Sequence, residues 1–201
     1  MGTQADKEFF EREVMDLMDR MYAAAMRLCR NHADAEDLVS AAVLQGWQKL
    51  DQLEDRSKFG GWMMRIVSNK FISDLRRKRP EISFAEDAPG PTGGGGDESG
   101  LYARLHRPFL MWYGAPEKTY VNNLLREDIE KALDSLPETF RVVVVMVEVM
   151  GFQYAEVARQ LEVPVGTVRS RLNRGRQLLQ KALWQQGQDA GLVKGEPEDR
   201  S

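Results

Sequence analysis

A chain of 201 residues, 42% hydrophobic and 29% charged, has the composition of a folded globular protein, with room for two small domains or for one domain with extensions. No apolar run approaches the ~20 residues a membrane-spanning helix needs. The polar, acidic start from Met1 to Arg12 also lacks the basic region and apolar core of a signal peptide, so the expectation is a cytoplasmic protein without membrane insertion. The net charge of −3 speaks against a uniformly basic nucleic-acid binder, but the mean conceals two basic clusters.

From Phe9 to about Arg79 apolar residues recur at spacings of three and four, with no proline before Pro80, which predicts helices throughout. Cys29, the single cysteine, excludes an internal disulfide; between Leu28 and Arg30 it reads as a small core residue, with a reactive thiol as the other possibility. His32 and His106 lie far apart and have no cysteine at ligand spacing, so no structural zinc and no cofactor is expected, although carboxylate-only metal sites stay open.

Asp34-Ala35-Glu36-Asp37 predicts a helix start, with Asp34 as the cap and the acids favoured by the positive end of the helix dipole. Leu38, Val39, Ala42, Gly46, Trp47 and Leu50 then mark one face. After a polar loop, Asp51 to Lys58, the run Phe59-Gly60-Gly61 precedes a helix predicted from Trp62, with Met63, Ile66, Val67, Phe71 and Leu75 on its apolar side. The first basic cluster, Arg65, Lys70, Arg76, Arg77, Lys78 and Arg79, is interrupted only by Asp74. Aromatic rings beside positive charge suit a surface that captures unstacked bases. Trp62 and Phe71 would serve equally as core, and Glu36 and Asp37 as simple capping acids.

Composition changes over 81–121. Pro89, Pro91, Gly93 to Gly96 and Gly100 indicate a flexible linker, and Asp97-Glu98 stand where a phosphate loop would need Lys and Ser or Thr. Within it Pro108 to Tyr113 (PFLMWY) is an apolar island, either covered by the protein's own domains or a docking segment.

Leu136-Pro137-Glu138 predicts the next helix start. The β-branched run Val142 to Val145 could pass for a buried strand, but it reads as helix because apolar character continues to Met150, long for a strand, and Gly151 offers a stop. Tyr154 to Leu161 is a short amphipathic helix with Val157, Ala158 and Leu161 on one face. A tight turn through Glu162 and Val163 leads to a second helix, Pro164 to Leu183. Its Val168, Leu172 and Leu179 are expected to face the core, and Arg169, Ser170, Arg171, Asn173, Arg174 and Arg176 the other sides. The second basic cluster, Arg159, Arg169, Arg171, Arg174, Arg176 and Lys181, is interrupted only by Glu162. Short helix, turn and longer helix with Arg and Asn near its start is the pattern of a major-groove reader, a helix-turn-helix. The bland alternative is a helical hairpin with an exposed arginine face. After Gly187 the chain is polar and reads as a tail.

DAEDLV at Asp34 to Val39, FGGWMMRIVSNKFISDLRRKR at Phe59 to Arg79, and LPETFR through VPVGTVRSRLNRGRQLL together resemble the bacterial extracytoplasmic-function (ECF) sigma factors of the sigma-70 family. The resemblance covers nearly the whole chain outside the linker and tail. It implies an all-α protein with two small helical domains joined by a flexible linker: a region 2 bundle over 9–80, a linker over 81–121, a region 4 helix-turn-helix over 122–186, and a polar tail over 187–201. It further implies a cytoplasmic, non-enzymatic transcription initiation factor of stress-response type, without a cofactor. Its partners would be bacterial core RNA polymerase, promoter DNA (duplex at −35, opened at −10) and an anti-sigma factor.

By the same resemblance Asp34, Glu36, Asp37, Leu38 and Trp47 would meet the polymerase clamp. Lys58, Trp62, Arg65, Asn69 and Lys70 would read the −10 element, with Arg76 and Arg77 on its backbone. Thr167, Arg169, Ser170, Arg171, Arg174 and Arg176 would read −35, while the linker would thread toward the polymerase active-site cleft. Ser40-Ala41-Ala42-Val43 departs from the family, where Gln, an acid and an aromatic commonly follow DAEDLV. The linker is also long for the group. The competing reading, a helix-turn-helix regulator that never joins polymerase, explains the C-terminal block and leaves Phe59 to Arg79 without a task. A protein-only adaptor leaves both basic clusters unexplained, and no acid/base pair or nucleophile with its base recommends an enzyme.

Overall fold

Seven α-helices run through the described part of the chain. The computed structural model describes residues 3–80, 82, 84 and 119–189, with side chains from 127 to 186 in the last stretch. Most of the expected linker, including His106 and the Pro108 to Tyr113 island, lies outside the described residues, as does the end of the tail.

Helix α1 (Gln4–Cys29) opens with a reciprocal cap. Thr3 Oγ1 accepts from the Asp6 amide at 3.2 Å, and the Asp6 carboxylate accepts from the Thr3 amide at 2.8 Å. It closes at Arg30, whose left-handed backbone (φ 65°) turns the chain sharply into α2 (His32–Gln48). The cap of α2 is Asn31, where Asp34 was expected. Asn31 Oδ1 accepts from the Asp34 amide at 2.8 Å, so Asp34 sits within the first turn. Two one-turn 3₁₀ segments, Leu50–Gln52 and Arg56–Lys58, occupy the predicted polar loop. Helix α3 (Phe59–Lys78) then starts three residues before the predicted Trp62, taking Gly60 and Gly61 into its first turn.

Helix α4 (Thr119–Ser135) is followed by α5 (Glu138–Val144), which opens after Pro137 as the sequence suggests. The valine run is helical, but its second part, Val145–Val149, winds as a π-helix in which the Met150 amide reaches back to the Val145 carbonyl at 3.0 Å. Gly151 ends it with φ +76°, a conformation that glycine adopts without Cβ strain. Helix α6 (Tyr154–Leu161) stops at Glu162 in left-handed backbone, and α7 (Val165–Asp189) opens after Pro164, whose carbonyl accepts from the Val168 amide at 3.3 Å. Helix α7 thus runs past the predicted end at Leu183.

The helices sort into two compact units, one from Met1–Glu86 with Val145–Val163, the other from Asp87–Val144 with Pro164–Ser201. In the first, α1, α2 and α3 pack on one another around Phe10, Val14, Met21, Leu28, Leu38, Phe59, Met63 and Val67, all buried. These residues fall on the three-and-four stripes that specify an amphipathic helix, and burying each large side chain stabilises by roughly 1.5–3 kcal/mol.

In the second unit α7 packs on α4 and α5, with Leu133, Val142, Val144, Val168 and Leu172 buried. Gly175 permits the closest approach there: a Cβ at that position would lie 2.7 Å from Val144 Cγ2 and 3.5 Å from the Phe140 carbonyl oxygen. Gly175→Leu is therefore expected to lower stability by ~1–3 kcal/mol through overpacking, outweighing a helix-propensity gain of about 1 kcal/mol. Thermal unfolding would register it as a fall in Tm. An unchanged or raised Tm would show that α5 and α7 do not meet at Gly175.

Candidate nucleic-acid interface

Helix α3 and the turn before it carry the basic residues expected at −10, and each of these faces a carboxylate. Lys58 lies 3.2 Å from Asp55. Asp74, the acid that interrupts the basic cluster, takes both Lys70 at 2.9 Å and Arg77 at 3.0 Å. Arg65 pairs with Glu156, and Arg76 Nη1 lies 2.8 Å from Glu162. Ser68, buried beside them, donates to Gln160 Oε1 at 2.7 Å. Asn69 is exposed, and Trp62 is half-buried with its ring 5.9 Å from that of Phe59.

These pairs explain how a chain of net negative charge carries cationic patches. The acids sit on the bases and screen them. The Lys58–Asp55 and Arg76–Glu162 pairs are exposed and stabilise little, whereas the carboxylates of Glu156 and Asp74 are largely covered. Burial pushes the Glu156 carboxyl up, but the Gln153 amide and the Arg65 guanidinium outweigh that and hold it below the usual carboxylate range.

The expected polymerase contacts divide differently. Glu36 and Asp37 are exposed on α2, and Trp47 is half-buried with its ring 5.4 Å from that of Phe10. Asp34 is half-buried and occupied: Asn31 donates to its carboxylate at 2.8 Å and Lys78 approaches at 2.9 Å. The Asn31 amide first, and Lys78 second, lower its pKa. Leu38 is a correction. At 4% exposure it belongs to the core between the helices and offers no surface to a partner.

On α7, Arg169 and Arg174 are exposed, while Thr167, Ser170 and Arg176 are partly exposed. The Ser170 hydroxyl donates to the Thr167 carbonyl at 3.0 Å. Arg171 is the second correction. Expected among the base-reading residues, it is 1% exposed and lies inward with Val168, Leu172 and Gly175. The helical period accounts for this, because 171 follows 168 by three and precedes 175 by four. Asn173, which the sequence sets on a polar face but not among the residues expected at −35, is exposed between Arg169 and Arg174 and has the chemistry to read a base edge. Among the described residues no three His, Cys, Asp or Glu side chains gather as a metal site, and no helix is long and apolar enough to cross a membrane.

Helices throughout the described residues, with cationic side chains on α3 and on α7, have the outline of a transcription factor with two nucleic-acid contacts. Comparison narrows that class. The sigma-70 region 2 family model matches residues 14–81, and the sigma-70 region 4 model matches 126–179. The ECF RNA polymerase sigma factor SigE of Mycolicibacterium smegmatis is 34% identical over 185 residues, covering 90% of this chain and 64% of that protein. SigW of Bacillus subtilis is 27% identical over 180 residues, covering 90% and 91%. The sigma factor RpoE of Bartonella quintana, solved with the anti-sigma factor NepR, aligns with a TM-score of 0.55 at 25% identity, over 87% of this chain and 96% of that one. CnrH, solved with the cytosolic domain of CnrY, shares the fold at a TM-score of 0.50 and 23% identity, over 88% of each chain. With both models matched, over more than half of its length, the chain belongs to the sigma-70 family, and the relatives it resembles are ECF RNA polymerase sigma factors.

Proposed function

We propose that this chain joins core RNA polymerase and directs it to promoters by holding two DNA elements at once. The observation that carries this reading is the presence, in one chain and in order, of region 2 over 14–81 and region 4 over 126–179, each with exposed cationic side chains on a helix. The working domains are residues 9–80 for polymerase binding and −10, a linker over 81–121, residues 122–186 for −35, and a tail over 187–201. Glu36, Asp37 and Trp47 form the clamp contact, with Asp34 at its edge.

Thr167, Arg169, Ser170, Arg174 and Arg176 engage the −35 duplex, where phosphate contacts set position and base edges set identity. Lys58, Trp62, Arg65, Asn69 and Lys70 hold the opened −10 strand, with Arg76 and Arg77 on its backbone. Capture there offsets the unstacking cost of a few kcal/mol that opening incurs. None of these steps needs a catalytic side chain or a cofactor, since the polymerase performs the chemistry. The reading places the protein in the cytoplasm, within a stress response, and under an anti-sigma factor, as RpoE is found with NepR.

The test is transcription by purified bacterial core RNA polymerase on a promoter library, with and without this protein. Specific transcripts that start only when both are present support the reading. DNA recognition that owes nothing to core polymerase would favour a regulator instead.

A further inference from the structure

The segment just before α3 is short, exposed and polar, yet it is held at both ends. Asp55 nucleates its 3₁₀ turn: Oδ1 accepts from the Ser57 amide at 3.0 Å and from the Ser57 hydroxyl at 2.6 Å. Phe59 anchors the far end, buried with its ring edge-on to Phe9 and Phe10, each at 5.5 Å. Between these points Arg56 reaches away from its own turn to the start of α1. There it pairs with Asp6, and its guanidinium lies 4.6 Å from the centre of the Phe9 ring.

Asp6 is itself fixed, because its carboxylate accepts from both the amide and the hydroxyl of Thr3 at 2.8 Å. Those Thr3 bonds, with Arg56 adding to them, keep the Asp6 carboxyl below the ordinary carboxylate range. Thr3 at the cap and Asp6 and Phe9 on α1 therefore bracket a segment some fifty residues later in sequence.

We propose that Asp6, Phe9 and Arg56 are positioning residues for promoter −10 recognition, holding the Arg56–Phe59 turn in the shape that displays Lys58 and Trp62 to the DNA. The inference rests on the proposed function of that surface. Its physical content is preorganisation. Fixing backbone conformation costs entropy, and a turn ordered before DNA arrives does not draw that cost from binding. Arg56 spends its charge and planar face on Asp6 and Phe9, so it acts through the turn instead of on the DNA. An Arg at this place is also not equivalent to Lys, which keeps the ion pair and loses the planar stack on the ring.

The test measures −10 selectivity, the ratio of transcription on a good −10 element to that on single-base variants, using full-length protein and core polymerase. Asp6→Asn, Arg56→Gln and the double variant are compared, with Arg56→Lys as the conservative change. Each single variant should lose selectivity by about five- to tenfold, and the double variant should lose no more than either single, as expected of residues acting as one unit. Arg56→Lys should fall between Arg56→Gln and wild type. Selectivity at −35, affinity for core polymerase and Tm should stay close to wild type, which a role in folding alone would not allow.

Unchanged −10 selectivity in both single variants overturns the bracket alone. Additive losses also overturn it, since they would mean that Arg56 touches DNA independently of Asp6. If Asp6→Asn lowers Tm through the lost cap, the exposed Arg56→Gln change carries the comparison by itself. A wild-type protein without any core-dependent −10 selectivity overturns the underlying function and this inference with it.

Discussion

Arg174→Ala is expected to lower discrimination at the −35 element by ~1–3 kcal/mol with the fold intact, while Arg171→Ala does the reverse. Both residues sit in the same arginine-rich stretch and carry the same charge. What separates them is helical phase. Arg174 is exposed to solvent next to Asn173 in sequence, where a guanidinium can bond a base edge or a phosphate. Arg171 is 1% exposed, between Val168 and Leu172 on the inward stripe.

Truncating Arg171 leaves a void where its methylene stem and guanidinium were, and large-to-small changes at buried positions cost roughly 2–5 kcal/mol. Urea unfolding of the two variants, alongside promoter competition at fixed salt, reads both effects. Loss of −35 discrimination by Arg171→Ala at unchanged stability would mean that the side chain leaves its buried position to reach DNA.

The second large effect belongs to Phe59. Its ring is 2% exposed and meets Phe9, Phe10 and Trp62, so it joins the starts of α1 and α3. Phe59→Ala is expected to lower stability by ~3–5 kcal/mol, a large share of what a small domain possesses. Phe59→Leu keeps most of the volume and should cost far less. Because Phe59 also ends the turn that carries Lys58, the alanine variant should lose −10 function even at temperatures where it remains folded. Chemical denaturation with parallel transcription assays checks both. A loss under 1 kcal/mol would show that the aromatic cluster is not the hinge of this unit.

The helices of the described residues and their main stripes were legible in the sequence, because spacings of three and four over long stretches favour helix, with only the valine run open to a strand. Tyr154 to Leu161 emerges with its predicted bounds, and Val157, Ala158 and Leu161 are buried as expected. Boundaries were harder wherever two capping residues competed. Asn31 displaced Asp34, since a helix can start at either, and the left-handed Arg30 decides it by fixing where α1 ends.

Gly60-Gly61 suggested a break before Trp62, yet Phe59 is pulled inward by three rings and draws the helix start back with it. Tertiary packing outweighed local propensity there. The π-helical turn over Val145–Val149 has no sequence signal that distinguishes it from α-helix.

For the interface, the residue types were legible and their partners were not. Glu156 and Glu162 lie some ninety residues from Arg65 and Arg76, and no local pattern links them. Asp74 was different, since an acid four residues after Lys70 and three before Arg77 is visible as a neutralising neighbour on one helix face. Arg171 was within reach of the sequence too, had its phase been weighed above its charge.

The central claim is a two-point grip on promoter DNA exerted together with polymerase. It is tested most directly on one promoter taken from the library, by inserting about half a helical turn (~5 base pairs) between −35 and −10. The account predicts transcription that requires both this protein and core polymerase and falls at least tenfold on insertion, although both elements keep their sequences. Undiminished transcription after the insertion, or sequence-specific DNA binding by the protein alone that core polymerase leaves unchanged, would contradict it.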